Sequence, residues 1–300
     1  MGTEVIERDA EEFSIVFGDS LHDAISTEFG IVRQLRRITI GKGEDMFAEG
    51  SLFIHLEGDV SKISVTELSY NSTFVTAIAF ADLSAGLERI GCDSQSGSGE
   101  IVIVLLIDSD MPDHTMARAT ITITEGITAA VQDLGLAFNG NPASGSVSQK
   151  IVAVRSRECG LYLRGAGKHT KLGELIGRST IEAVKASAAS NGTAIDSRRS
   201  IIQMLGDYDY DQDRLFKMSE MLDYAQFLDK VLAKDADPRA VATVSAVIHI
   251  HNEVQWGLLD EGTGLEVAMG LMKVGLHEPV RSSSILDSLA QTAVLFFKED

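Results

Sequence analysis

The sequence predicts an α/β protein, a mixed sheet with flanking helices, followed by an all-helical C-terminal module. Three observations carry that prediction. Ile101-Val-Ile-Val-Leu-Leu-Ile107 is an unbroken, largely β-branched apolar run of strand length, as expected of a strand buried on both faces. Strand-like and helix-like segments interleave between residues 50 and 190. After Asn191-Gly192 the apolar residues recur at three- and four-residue spacings, the helical period.

In chain order, residues 1–48 mix short apolar pieces (13–17, 31–40) with acids and bases and read as a strand-and-helix lead-in. Segments 51–56 and 60–66 are strand-like, with Gly58-Asp59 as a hairpin turn between them. Residues 72–90 are alanine-rich with helical spacing, and 92–100 form a serine- and glycine-rich loop. Beyond the 101–107 strand, residues 119–124 alternate isoleucine with threonine and read as a second strand running into a helix over 125–136. Residues 144–148 are a loop of small side chains, followed by a strand over 150–155, a turn at 158–160 and a short strand over 161–164. Gly165 then leads into a helix with Leu172, Leu175, Ile176, Ala183 and Val184 on one face and Lys171, Glu174, Arg178, Glu182 and Lys185 on another. The last part carries apolar positions Ile201, Met204, Leu205, Leu215, Met218, Met221 and Leu222. Further helices are expected over 224–233, 239–259, 264–274 and 284–297, with Pro238 at a start and Pro279 at a break. The expected organisation is a lead-in (1–48), an α/β domain (49–195) and a helical module (196–300).

Three hundred residues suffice for a substantial core. A net charge of −18 argues against a nucleic-acid partner, because phosphates would be repelled. No apolar run is long enough to cross a bilayer, and residues 1–12 are acidic without an apolar stretch. A cytoplasmic protein with no membrane partner is expected, with Cys92 and Cys159 as a reduced pair.

The segment richest in chemistry is Gly165-Ala-Gly-Lys-His-Thr-Lys-Leu-Gly-Glu-Leu-Ile-Gly177, where glycines deliver His169 to a helix start with free backbone N–H groups. A surface helix with ion pairs one turn apart accounts for Arg178, Glu182 and Lys185 but says less about Lys168, His169 and Thr170. It is not a phosphate loop, since Tyr162 stands where the first glycine is required and His169 where a Ser or Thr is. His249, His251 and Glu253 would share a face on a strand and could bind zinc. On a helix His249 and His251 diverge by about 200°, leaving only His249 and Glu253 able to meet. Asp207-Tyr-Asp-Tyr-Asp-Gln-Asp213 imitates a calcium loop, but Gln212 replaces the glycine and Met218 the closing glutamate. A turn with an acidic cap on the helix at Arg214 is the simpler reading. A pair between Cys159 and His169 is conceivable, although lone cysteines are usually inert.

Residues 118–190 resemble the adenosylcobinamide amidohydrolase family of cobamide salvage, found in archaea and some bacteria. The matching stretches are Thr124-Glu-Gly-Ile-Thr-Ala-Ala-Val-Gln-Asp-Leu-Gly135, Ala143-Ser-Gly-Ser-Val-Ser-Gln149 and the histidine segment itself. Residues 60–86 correspond weakly to the family's opening strand and helix. Ile127 stands where the family shows a lysine, and Ser144-Gly-Ser-Val-Ser148 with Gln149 replaces a Gly-Thr-Gly-Thr-Asp loop. The resemblance implies hydrolysis of the amide between the corrin propionate and aminopropanol, with a corrinoid as partner and no cofactor or metal. It implies His169 as acid/base, Glu125 as a second candidate base, and Lys168 with the N–H groups near Thr170 and Lys171 as oxyanion donors. Ser144, Gly145, Ser146, Gly167, Thr170, Lys171 and Glu174 would line the substrate site. Two alternatives stay open: a corrinoid-binding protein that lost the reaction, and a metal-dependent hydrolase built on His249, His251 and Glu253. For residues 196–300, homo-oligomerisation or a lid over a large pocket is expected.

Overall fold

The computed structural model describes residues 5–9, 11–18, 21–43, 49–94, 97–157, 159–193 and 200–299. At its centre lies strand β10 (Glu100–Ile107), buried along its whole length. Around it runs a six-stranded sheet in the order β4 (Gly30–Leu35), β3 (His22–Ser26), β14 (Ser148–Ser156), β10, β8 (Thr73–Asp82) and β7 (Ser64–Tyr70). The β10–β14 pair is parallel and the other pairs are antiparallel, so the sheet is mixed as expected. A second sheet comprises β1 (Val5–Arg8), β2 (Glu12–Val16), β5 (Arg37–Gly41) and β6 (Ser51–His55).

The two-residue period of the strands builds the layers. Val102, Val104 and Leu106 of β10, Val152 and Val154 of β14, and Ile78 and Phe80 of β8 pack with Phe13, Ile15, Ile38, Ile40, Leu52 and Ile54 of the smaller sheet. The opposite face is covered by α1 (Asp113–Asp133) and α2 (Lys171–Ser190). There β8 presents Ala77, Ala79 and Ala81, small enough for α2 to come within hydrogen-bonding reach, and the Ser187 hydroxyl accepts from the Ala81 N–H at 2.8 Å. Two short ribbons complete the strands: β9 (Leu87–Glu88) with β13 (Gly145–Ser146), and β11 (Ala137–Phe138) with β12 (Asn141–Pro142).

The chain divides into two compact units. One takes the chain to Leu136 and again from Ala143 to Thr193. The other takes Ala137–Pro142 with the helices α3 (Ile201–Gly206), α4 (Gln212–Ser219), α5 (Tyr224–Lys234), α6 (Pro238–Gln255), α7 (Glu261–Gly275) and α8 (Ile285–Lys298). The helical unit has its own core, including Phe227, Val244, Val247, Met272, Leu289 and Phe297. Asp211, Asp223, Asp237 and Asp260 each accept a first-turn N–H, starting four of these helices, and Pro238 occupies a first-turn position where no N–H is needed. The acidic run at 207–213 thus supplies the cap of α4.

Several local expectations give way. Residues 73–82 are the strand β8, not a helix. Residues 119–124 lie inside α1. Residues 60–62 form a 3-10 turn capped by Asp59, and β6 and β7 belong to different sheets, so Gly58-Asp59 is no hairpin. Residues 161–164 form only a bridge, Tyr162 to Asp110. Among its described residues the lead-in holds the strands β1 to β5 and no helix. Glu158 and the boundary at 195/196 lie outside the described residues.

Candidate active site

The histidine turn is held by α1 and by its own helix. Thr115 and Thr122, two turns apart on α1, donate to the carbonyls of Arg164 and Ala166 at 2.9 and 2.8 Å, fixing the chain as it enters the turn. Thr170 caps α2: its hydroxyl accepts from the Gly173 N–H at 3.0 Å and donates to the Gly167 carbonyl at 2.8 Å. Both flanking glycines answer to close approach. A Cβ on Gly173 would lie 2.0 Å from the Gly167 carbonyl oxygen. A Cβ on Gly167 would lie 3.1 and 3.3 Å from Cε1 and Nδ1 of His169 and 3.2 Å from Nε of Arg118. Imidazole and guanidinium therefore converge over one bare Cα.

His169 and Lys168 are exposed. The Lys168 ammonium is 3.0 Å from the Glu125 carboxylate, so these two candidates form one ion pair. The Lys171 ammonium is 2.6 Å from Glu174 and 4.8 Å from the centre of the Tyr70 ring, and that hydrogen bond holds the Glu174 carboxyl below its usual range. Thr170 N–H donates to the Gly167 carbonyl, which leaves the Lys171 and Leu172 amides, among the described residues, without an acceptor. Beside the turn, α1 and α2 line an open groove of about 340 Å³. Its floor is Gly126, Ala129, Gly173, Gly177 and Ile181, and Glu125, Lys168, Glu174 and Arg178 stand at its rim.

The serine bend meets the same helix one turn further on, where Thr128 donates to the Ser144 carbonyl at 2.9 Å. Among the described residues no hydrogen bond joins the bend directly to the histidine turn. Its hydroxyls have internal partners: Ser144 accepts from the Ile90 N–H at 2.8 Å, and Ser146 donates to the Ser148 carbonyl at 2.7 Å. Gly145 is covered by Gln149, whose Oε1 would lie 2.6 Å from a Cβ there. Ile127, at the family's lysine position, is fully buried. The Cys159 thiol turns to the carbonyls of Ser156 and Leu161, and Cys92 and Cys159 are both free.

Residues 247–253 are helical, so the strand arrangement of His249, His251 and Glu253 does not form. His249 is 3.3 Å from Glu253, one turn on, whereas His251 packs edge-on against Tyr208 and is held below its usual pKa by burial. Among the described residues no group of three His, Cys, Asp or Glu side chains is placed to hold a metal ion.

Residues 51–195 match the family model described as CbiZ, adenosylcobinamide amidohydrolase. That stretch, just under half of the chain, is similar to the adenosylcobinamide amidohydrolase family. The match takes in the histidine turn, the groove and the serine bend, and leaves the helices α3 to α8 outside. An uncharacterized protein of Methanocaldococcus jannaschii is 39% identical over 93 residues, a segment that is 29% of this chain and 36% of that relative. The chain thus aligns with about a third of that protein's length. Arg118, beside His169 at this turn, is a residue that sequence reasoning passed over. With residues 119–124 read as a strand, it had no geometric link to Glu125. Read as a helix, positions 118, 122 and 125 fall on one stripe.

Among the described residues no helix is long and apolar enough to cross a membrane.

Proposed function

We propose that this protein hydrolyses the aminopropanol amide of adenosylcobinamide, releasing adenosylcobyric acid. One observation carries the reading: within the family-matched stretch, an exposed imidazole sits at the entrance of α2 beside two unpartnered helix N–H groups and a groove floored by small residues. Amide hydrolysis needs these parts. His169 takes a proton from water as its oxygen attacks the amide carbon, and the Lys171 and Leu172 amides receive the oxyanion. Collapse re-forms the carbonyl and breaks the C–N bond, and the imidazolium returns its proton to the departing amine. The Glu125–Lys168 pair closes the rim, with Glu125 as the second candidate base. The groove receives an edge of the corrinoid, with Thr170 and Gly167 shaping the turn rather than touching substrate.

A second reading, a corrinoid-binding protein without turnover, is favoured by Gln149, whose amide cannot act as a base, and by the serine hydroxyls already bonded within the chain. One experiment separates the two. Purified protein is mixed with adenosylcobinamide, and the corrin absorbance and aminopropanol release are followed for wild type and His169→Ala. Release by wild type that falls by about 10² or more in His169→Ala supports the enzyme. A perturbed spectrum without release by wild type supports the binder, and release undiminished in His169→Ala removes the histidine from the mechanism.

A further inference from the structure

We propose that Arg118 is a catalytic residue of this site, binding the scissile carbonyl oxygen beside His169 and sharing the negative charge of the tetrahedral intermediate with the Lys171 and Leu172 amides; the assignment rests on the hydrolytic reading above. The charges around the two helices point to it. Lys168 is taken by Glu125, Lys171 by Glu174, and Lys185 by Asp133 at 3.1 Å, while Arg178 lies within 3.9 Å of Glu174 and 3.8 Å of Glu182. Arg118 is exposed on the same side of α1 and, among the described residues, has no carboxylate partner. Its Nε lies 3.2 Å from the same point over Gly167 that is 3.3 Å from the His169 Nδ1. A carbonyl carbon presented to the imidazole-activated water therefore has its oxygen within reach of the guanidinium.

The chemistry suits this residue better than its neighbour Lys168. A guanidinium keeps its charge at every working pH and offers a planar fork of donors, whereas an ammonium already paired with Glu125 must give up that partner to act. In the reaction, the carbonyl π pair moves onto oxygen as water adds, and the guanidinium meets the charge that forms. When the C–N bond breaks, the pair returns and the guanidinium is released unchanged. Position 118 continues the Thr122–Glu125–Ala129 stripe that lines the groove by one further turn toward the start of α1, so the cation stands at the groove's end.

The test is steady-state release of aminopropanol from adenosylcobinamide by wild type, Arg118→Lys and Arg118→Ala, with thermal unfolding of each. The expected result is a fall in kcat on the order of 10²–10³ for Arg118→Ala, with KM changed by about twofold or less. The melting temperature should stay at the wild-type value because the side chain is exposed. Guanidinium ion at non-denaturing concentration should restore part of the kcat of Arg118→Ala and none of that of His169→Ala. An unchanged kcat in an active background, a loss confined to KM, or a kcat loss that guanidinium leaves unrepaired overturns the role of Arg118 alone. A wild-type protein that releases no aminopropanol overturns the hydrolytic reading and this assignment with it.

Discussion

The glycines around His169 have separable jobs. Gly173 lets the first turn of α2 sit against the Gly167 carbonyl, 2.0 Å from where a Cβ would stand. Gly173→Ala should therefore push the turn outward at a cost of about 1–3 kcal/mol, and a displacement near 1 Å at the imidazole should lower aminopropanol release by roughly tenfold or more. Gly177 is a control for folding, because a Cβ there meets open space and the helix gains from alanine by up to about 1 kcal/mol. Urea unfolding of both variants checks the contrast, and equal stability for the two would mean the turn relaxes without strain. The glycine spacing is what singles this segment out in the sequence. It could not say that Thr170 serves as the cap, since a capping hydroxyl and a ligand-binding hydroxyl look alike until partners are seen. It also could not reveal Arg118, whose relation to His169 passes through a long-range contact.

At the scale of elements, strand β3 is tied to β14 by a buried cross-strand pair. Asp23 stands opposite Arg155 in register, 2.6 Å away, and both are buried. Arg33 of β4 reaches the same carboxylate at 2.8 Å. Burial works to raise the Asp23 carboxyl, but the hydrogen bonds from Arg155, Arg33 and the Gln34 N–H together hold it below its usual value. Its stabilisation is therefore complete above the unfolded carboxyl pKa of about 3.9 and is lost as pH falls through the lower folded value. Asp23→Ala should cost up to about 3–5 kcal/mol near neutral pH, because the buried Arg155 keeps only the half-exposed Asp113, 3.2 Å away, as counter-charge. Urea midpoints at pH 7 and pH 3 measure this, and the gap between variant and wild type should narrow in acid.

The same scale shows where the sequence misled. Alanine at 77, 79 and 81 suggested a helix, but those positions are small because α2 lies on that face of β8. Tertiary packing set them, not backbone preference. The Ile-Thr alternation at 119–124 suggested a strand. In α1, Ile123 is buried with Met116, Ala119, Ile127 and Ala130 at helical spacing, and Thr120 and Thr124 bond back to carbonyls of their own helix. The stripe outweighs propensities worth only a few tenths of a kcal/mol per residue. By contrast the 101–107 strand and the helices beyond residue 200 were legible, because a continuous β-branched apolar run and a three- and four-residue apolar period each point to one element.

For the whole molecule, the helical unit holds one carboxyl shifted in the opposite direction from Asp23. In the helical unit burial pushes the Asp207 carboxyl up to about 6. Being raised, it favours folding fully below the unfolded value of about 3.9, and that contribution is lost as pH rises through about 6. Asp207→Asn should flatten the pH dependence of this unit's melting temperature between about pH 4 and 6 and leave the acid sensitivity due to Asp23 intact. Calorimetry across that range is the measurement, and an unchanged slope in the variant would remove Asp207 as its source.

The pairing of β3 along β14 has a consequence for where a domain begins. The family match opens at residue 51, yet β14, the strand that leads toward the histidine turn, has its outer edge covered by residues 22–26. A fragment trimmed to the matched stretch would bare that edge, with Arg155 stripped of Asp23, and offer a row of open amides and carbonyls to any passing copy of itself. Sequence likeness and self-sufficiency draw different borders on this chain.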